Sequence, residues 1–258
     1  RKSGMAPDPD VPGYTPSGLV NADKKAAHEM TAEDVEMLIE CFVGDIVKIQ
    51  ELGFDGVELH GAHGYLIDNF FWEGTNQRAD SFGGSIDKRT AFACEIVKRA
   101  RAKVGSDFPM AIRFSQWKQQ DFDAKLAYTE EDLKTFLMPL VDAGIDMFHA
   151  SNRRYWEPEF EGSNLNLAGW TKKLTGLPTI TVGSVGLKSD FIGLYAGEDA
   201  VESQSIDDLV KRMEADEFDM VAIGRALLSD PEWVKKVKAG DFEEIIPFEK
   251  KYAREVYF

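Results

Sequence analysis

The sequence has few cysteines, few positive charges and no long hydrophobic run, and each shortage excludes a class of protein. Two cysteines in 258 residues give no disulfide framework. We expect Cys41 and Cys94 to be buried free thiols, because both lie in apolar helical patterns. The 30 Lys and Arg against 45 Asp and Glu give a net charge of −15, which argues against binding nucleic acid or an anionic membrane. No apolar run approaches the roughly 20 residues that span a bilayer, and no signal-peptide pattern is present, so a cytoplasmic location is expected.

Strand and helix patterns alternate along the chain, which is 43% apolar and can bury a sizeable core. Apolar, β-branched runs predict strands, and helical spacing of apolar residues predicts helices. The predicted strands are 54–60, 110–115, 146–151, 178–183 and 219–224; the predicted helices are 32–52, 88–104, 130–143, 166–175, 205–216 and one beginning at Pro231. Repeated βα units indicate an α/β protein with a parallel sheet. We expect one domain over residues 1–258, with a loop at 1–30, βα units at 31–240 and a C-terminal tail at 241–258.

Polar residues gather where the first predicted strand ends. His60, His63 and Tyr65 stand in GFDGVELHGAHGY, and the carboxyl end of a parallel strand is where α/β proteins keep their chemistry. The histidines fit a metal pair, structural histidines or a pair of neutral hydrogen-bond donors; no third metal ligand is evident. A tyrosine phenol is protonated at neutral pH, so Tyr65 suits a proton donor, or it packs with its hydroxyl in solvent.

Two glycine loops at successive strand ends predict a phosphate site. Gly183 and Ser184 follow one strand, and Gly224 and Arg225 follow the next. Glycines let backbone N–H groups approach an anion, and arginine offers it a bidentate fork. Arg113 lies among apolar residues inside a strand, so we expect it to meet either an anionic ligand or an internal carboxylate.

Two charged loops remain open to a structural and a ligand-binding interpretation. The loop 76–89 contains Arg78, Asp80 and Arg89, and mixed charges around tight-turn glycines favour an internal ion-pair clamp over a substrate contact. Arg153 and Arg154 precede two aromatic residues, and this loop is suited either to nicotinamide phosphates and a substrate pocket or to a solvated surface.

The motifs HGAHGYL and NQRADSFGGSIDKR resemble the Old Yellow Enzyme family of FMN-dependent NAD(P)H ene-reductases, the NADH:flavin oxidoreductases. The segments FRFSQWKQQD and RRYWEPEFEGSNLNLAGW resemble its xenobiotic-reductase-like branch. The resemblance implies a (β/α)8 TIM barrel in which this chain supplies strands four to eight. The alternatives are a fragment, a barrel completed by another chain or by upstream residues, and a self-contained open sheet, although an open sheet leaves two unpaired edges.

The resemblance also assigns roles to the residues named above. It implies that His60 and His63 hold the substrate carbonyl, that Tyr65 protonates the α-carbon, that Arg113 lies against the flavin, and that Gly183, Ser184, Gly224 and Arg225 bind the FMN phosphate. FMN and NAD(P)H are then the cofactors, and an α,β-unsaturated carbonyl compound or related activated alkene is the small-molecule substrate. No metal is expected, and a homo-oligomer is compatible with the sequence. In having no cysteine cluster, the sequence resembles the simple, single-domain ene-reductases.

Overall fold

The computed structural model describes residues 13–190, 192 and 200–253. Contacts divide the chain after Phe148 into two compact units. Strand β7 (Met147–Ser151) crosses the dividing point. The prediction of a single domain therefore stays a prediction, and parts of the predicted N-terminal loop and C-terminal tail, 1–12 and 254–258, lie outside the described residues.

The first unit contains a helical layer and a pair of long parallel strands. Its strands are β1 (Tyr14–Thr15), β2 (Leu19–Asn21), β3 (Lys24–Lys25), β4 (His28–Glu29), β5 (Val57–His63) and β6 (Met110–Lys118). Its helices are α1 (Ala32–Glu51), α2 (Leu66–Phe71), α3 (Ile86–Arg89), α4 (Ala91–Val104) and α5 (Glu130–Ala143). The short strands at 14–29 replace the featureless loop that the proline content predicted.

Capping residues set the ends of the long helices as predicted. The side chains of Thr31, before α1, and Thr129, before α5, each accept a hydrogen bond from the N–H of the third helical residue. That residue is an aspartate in both helices, and its carboxylate accepts the backbone N–H of the threonine. Gly144 ends α5 in the left-handed conformation, with φ of 105°. Local sequence signals thus fix where these helices begin and where α5 ends.

Strand β5 begins and ends three residues later than predicted. The N–H of Phe54 donates to the carbonyl of Ile49, so Phe54 still belongs to the turn that ends α1. The side chain of Phe54 is 62% exposed. The strand then pairs in parallel with β6 from Val57 onward, and the pairing shifts register between Gly61 and His63. That irregularity lets β5 extend beyond His60 to the site.

The helix predicted at 88–104 is two helices, because Thr90 turns its hydroxyl to the carbonyl of Asp87 between α3 and α4. Both cysteines are free, and Cys94 is buried as expected. Cys41 is exposed, so that prediction was wrong. The buried face of α1 consists of Val35, Ile39, Val43 and Ile46, and Cys41 lies off it.

The second unit repeats the strand–helix alternation with shorter elements. Its helices are α6 (Leu167–Thr175), α7 (Asp207–Glu214), α8 (Arg225–Ser229) and α9 (Trp233–Ala239), with 3-10 turns at Phe242–Glu244 and Lys250–Ala253. Its strands are β8 (Thr179–Val182), β9 (Ala200–Val201), β10 (Met220–Ala222) and β11 (Phe248–Glu249).

Strands β8 and β10 pair in parallel, and β9 pairs antiparallel with β11. The last helix begins at Trp233 rather than at Pro231, because the N–H of Trp233 first closes a turn on the carbonyl of Asp230. Each of the five predicted strands is present, as β5, β6, β7, β8 and β10.

Candidate active site

His60, His63 and Tyr65 meet at the carboxyl end of β5, as predicted. The ring centroids of the two histidines are 5.4 Å apart, and those of His60 and Tyr65 are 5.2 Å apart. His60 is exposed and Tyr65 is 48% exposed. Two imidazoles and a phenol therefore lie side by side at a partly exposed strand end, within reach of one small molecule.

The backbone at His63 is held in an unusual conformation. His63 has φ of 64° and Gly64 has φ of 78°, two left-handed residues in succession. The N–H of His63 donates to Ser115 Oγ at 2.9 Å, and the carbonyl of His63 accepts from the N–H of Gln119 at 3.2 Å. Bonds from β6 and the residues after it thus hold the turn that separates His63 from Tyr65.

Residues 115–119 contribute side chains that the sequence analysis did not assign to the site. The indole of Trp117 stacks on the imidazole of His63, with centroids 4.3 Å apart and planes 18° from parallel. Gln119 Nε2 donates to the phenol oxygen of Tyr65 at 3.3 Å. The signal in the sequence is the polar run SQWKQQ at the end of a strand beside β5, a segment that also resembles the family branch.

Arg113 lies on β6 directly beside His60, its register partner on β5. Burial lowers the pKa of the half-buried guanidinium, and the charge of Glu58, two residues before His60 on β5, opposes that shift. The Glu58 carboxylate thus acts on Arg113 through its charge, and the choice between an internal carboxylate and an anionic ligand as its partner stays a prediction. Its expected contact with a flavin stays a prediction.

The loop 76–89 forms the internal clamp that its charges favoured. Arg78 donates to the carboxylate of Asp80 and to the carbonyls of Pro16 and Met30, and its side chain is 8% exposed. Arg89 donates to the carbonyls of Phe71 and Gly84. These bonds tie the loop to α2 and to the strands before α1, and so support the segment that carries Tyr65.

The second unit brings Ser184 and Arg225 together, as the phosphate hypothesis requires. Arg225 Nη2 lies 3.4 Å from Ser184 Oγ and 2.8 Å from the carbonyl of Ser189, so the guanidinium also fastens the loop that follows β8. Gly183 has φ of 138°, and a Cβ there would lie 2.7 Å from the carbonyl oxygen of Asn152. A Cβ at Gly224 would meet nothing within 4 Å. The Ser184 hydroxyl donates to the carbonyls of Arg153 and Ser189, and Arg225 also donates to the carbonyl of Asp190. These groups are the residue types that bind a phosphate, and their role toward a phosphate stays a prediction.

Next to this loop, two arginines share one buried carboxylate. Asp190, 3% exposed, lies 3.1 Å from Arg154 Nη2 and 3.6 Å from Arg153 Nε. The side-chain hydrogen bond to Glu157, together with the charge of Asp190, raises the pKa of Arg154. Tyr155 is buried rather than solvated. The structural interpretation thus accounts for these contacts, and a role toward nicotinamide phosphates stays a prediction.

Among the residues that the structure describes, no group of three or more His, Cys, Asp or Glu side chains is placed to hold a metal ion. Within the same residues, no helix combines the length and the apolarity required to cross a membrane.

Comparison with protein families matches residues 5–244 to the model of the NADH:flavin oxidoreductase / NADH oxidase family. The chain is 35% identical over 245 residues to an NADH oxidase of Thermoanaerobacter brockii, covering 92% of this chain and 34% of the oxidase. It is 30% identical to a cinnamate reductase of Clostridium sporogenes, covering 85% of this chain and 33% of the reductase. A probable NADH-dependent flavin oxidoreductase of Bacillus subtilis, YqiG, is 31% identical, and this chain covers 61% of its length. The chain thus spans about one to two thirds of the length of these relatives.

Two solved structures share the fold. A 2-naphthoyl-CoA reductase in complex with 2-naphthoyl-CoA superposes with a TM-score of 0.68 at 24% identity, over 92% of this chain and 34% of that one. An old yellow enzyme homologue from Zymomonas mobilis gives 0.69 at 19% identity, over 93% of this chain and 63% of that one. These likenesses confirm the predicted fold class, an α/β chain of the (β/α)8 TIM-barrel type.

Proposed function

Because the chain belongs to the NADH:flavin oxidoreductase / NADH oxidase family, we propose that it reduces the C=C bond of α,β-unsaturated carbonyl compounds. FMN and a nicotinamide nucleotide are the cofactors of this family. The observation that carries the proposal is the convergence of His60, His63 and Tyr65 at the end of β5. Relatives named cinnamate reductase and NADH:acrylate oxidoreductase, the latter from Vibrio harveyi and 29% identical, support this substrate class.

In the proposed reaction the two histidines act on the substrate carbonyl. Each neutral imidazole donates one N–H to the carbonyl oxygen, and these bonds strengthen as negative charge develops there. The polarised carbonyl makes the β-carbon electrophilic. The stack of Trp117 on His63 fixes the plane of that imidazole and hence the direction of its N–H.

Tyr65 completes the reduction by giving its phenolic proton to the α-carbon. Gln119 Nε2 donates to the phenol oxygen and stabilises the negative charge left on it. FMN, when bound, supplies the hydride that the β-carbon receives. In the second unit, Gly183, Ser184, Gly224 and Arg225 would hold its phosphate, and in the first unit Arg113 would place a positive charge beside His60.

The test combines a spectrum with two variants. The purified chain, incubated with FMN and desalted, is examined for a visible flavin band and for NADH or NADPH oxidation that depends on 2-cyclohexenone. Tyr65→Phe is expected to lower turnover by about 10² to 10⁴, and His60→Ala by about 10² to 10³, with flavin binding retained. Full turnover in both variants contradicts the proposed roles, and the absence of any flavin band contradicts the proposed activity of this chain.

A further inference from the structure

A fully buried ion pair lies directly behind the active-site turn. Lys118 Nζ is 2.7 Å from Asp68 Oδ1, and both side chains have an exposed fraction of 0%. Asp68 belongs to α2, which Tyr65 precedes as N-cap, and Lys118 is the last residue of β6. The proposed reaction uses neither group, although a charge removed from water is costly to keep.

Each partner of the pair also bonds the backbone near the site. Asp68 Oδ2 accepts the N–H of Gly64, the left-handed residue between His63 and Tyr65, at 2.6 Å. Lys118 Nζ donates to the carbonyl of Ser115 at 3.0 Å, and the hydroxyl of that same serine accepts the N–H of His63. The pair is therefore connected to both sides of the His63–Gly64 turn.

Stability is a weak reason for keeping such a pair. Burial raises the pKa of Asp68 and lowers the pKa of Lys118, and in each case the charge of the partner opposes the shift. Apolar residues of similar volume often replace a buried ion pair without loss of stability. By contrast, a carboxylate that binds a cation with one oxygen can fix the position of the N–H that its other oxygen accepts.

We infer that Asp68 and Lys118 are positioning residues that hold the His63–Gly64 turn, and with it the imidazole of His63 and the phenol of Tyr65, in the reactive arrangement. This inference rests on the proposed function for its catalytic consequence. Its structural consequence, the placement of His63 against Trp117, is independent of any flavin chemistry.

The test replaces both charges at once, by Asp68→Leu with Lys118→Met. We expect the variant to fold, with Gly64 deprived of its acceptor and the turn displaced. The main readout is the Hε1 resonance of His63 in the NMR spectrum of the purified chain, which has four histidines and is therefore assignable by single substitutions. Stacking on Trp117 shifts this resonance upfield, and the double variant should lose that shift. Turnover of 2-cyclohexenone by the FMN-loaded chain should fall by roughly 100-fold, the effect of a misplacement of about 1 Å.

Asp146→Asn is the matched control. Asp146 also accepts a backbone N–H, that of Met110 at 2.8 Å, and pairs with a cation, Arg101, but it lies at the opposite end of β6. This variant should lower the unfolding midpoint and leave the His63 resonance and turnover unchanged. Asp68→Asn is a second test variant, because an amide has one acceptor oxygen where the carboxylate has two. That oxygen turns to the ammonium of Lys118, the amide N–H₂ then faces the N–H of Gly64, and the loss of this acceptor should also shift the His63 resonance.

The outcomes separate the inference from the proposed function. An unchanged His63 resonance in the folded double variant, or in Asp68→Asn, overturns the positioning role whatever the activity. Loss of the upfield shift without loss of turnover overturns the catalytic part of the inference. If the unaltered chain with FMN has no turnover, the proposed function fails, and the resonance still decides whether the pair holds the turn.

Discussion

Replacing Arg78 by lysine tests whether the loop 76–89 is held as a clamp. The guanidinium binds three groups at once, the carboxylate of Asp80 and the carbonyls of Pro16 and Met30. A lysine ammonium is a compact point charge and cannot reproduce this planar fork. Each hydrogen bond to a charged group contributes about 1.5–3 kcal/mol, so the loss of one or two bonds should cost about 3 kcal/mol of the free energy of unfolding.

Asp80→Asn separates the ion pair from the carbonyl contacts. The carboxylate is 41% exposed, so solvent screens it and its loss should cost only about 1 kcal/mol. The hydrogen bond from Arg78 lowers the pKa of Asp80 against the opposing effect of burial. A lowered pKa in the folded state means that the stabilisation is present above the unfolded pKa, near 3.9, and is lost as pH falls through the folded value.

Urea unfolding followed by circular dichroism measures both effects at pH 7, 5, 4 and 3. We expect Arg78→Lys to be destabilised at each pH, and the gap between the unaltered chain and Asp80→Asn to close at the acidic end. Glu29→Gln is the control, because the Lys25–Glu29 pair is exposed and should contribute less than about 1 kcal/mol. An Arg78→Lys chain as stable as the original, or an Asp80→Asn gap that is independent of pH, would refute the clamp.

Three further changes test other parts of the fold. Gly183→Ala places a Cβ 2.7 Å from the carbonyl oxygen of Asn152 at φ of 138°. Calorimetry should therefore show a loss of about 1–3 kcal/mol in the free energy of unfolding, and titration with FMN should show weaker binding. Thr129→Ala removes the cap of α5 and should cost about 1 kcal/mol in urea unfolding, whereas Thr129→Ser should cost only a few tenths. Asp230→Asn disturbs a buried carboxylate that Lys236 Nζ binds at 2.8 Å, and should lower the unfolding midpoint more at pH 7 than Glu29→Gln does.

Local chemistry made the helices and the site's first members predictable. Thr31 and Thr129 cap helices through residues three positions away, so sequence alone contains both partners. His60, His63 and Tyr65 lie at the end of a single strand, which brings them together without knowledge of any other element.

The features that escaped prediction depend on partners distant in sequence. The register shift between Gly61 and His63 determines that Trp117 stacks on His63, and no local pattern encodes that shift. The Asp68–Lys118 pair joins residues 50 positions apart. The exposure of Cys41 follows from which face of α1 packs inward, and helical spacing alone placed it wrongly.

At the turn of His63 the structure departs from local preference, and the surrounding bonds explain why the turn persists. A left-handed residue other than glycine costs about 1–3 kcal/mol. The bonds from His63 N–H to Ser115 Oγ and from Gly64 N–H to Asp68 each contribute about 1 kcal/mol or more, which is enough to offset that cost. Gly64 has φ of 78°, which favours glycine, and a Cβ there would displace the side-chain amide of Gln120. A conformation that local propensity opposes, and that β6, α2 and Gln119 hold in place, is expected where geometry serves function rather than stability.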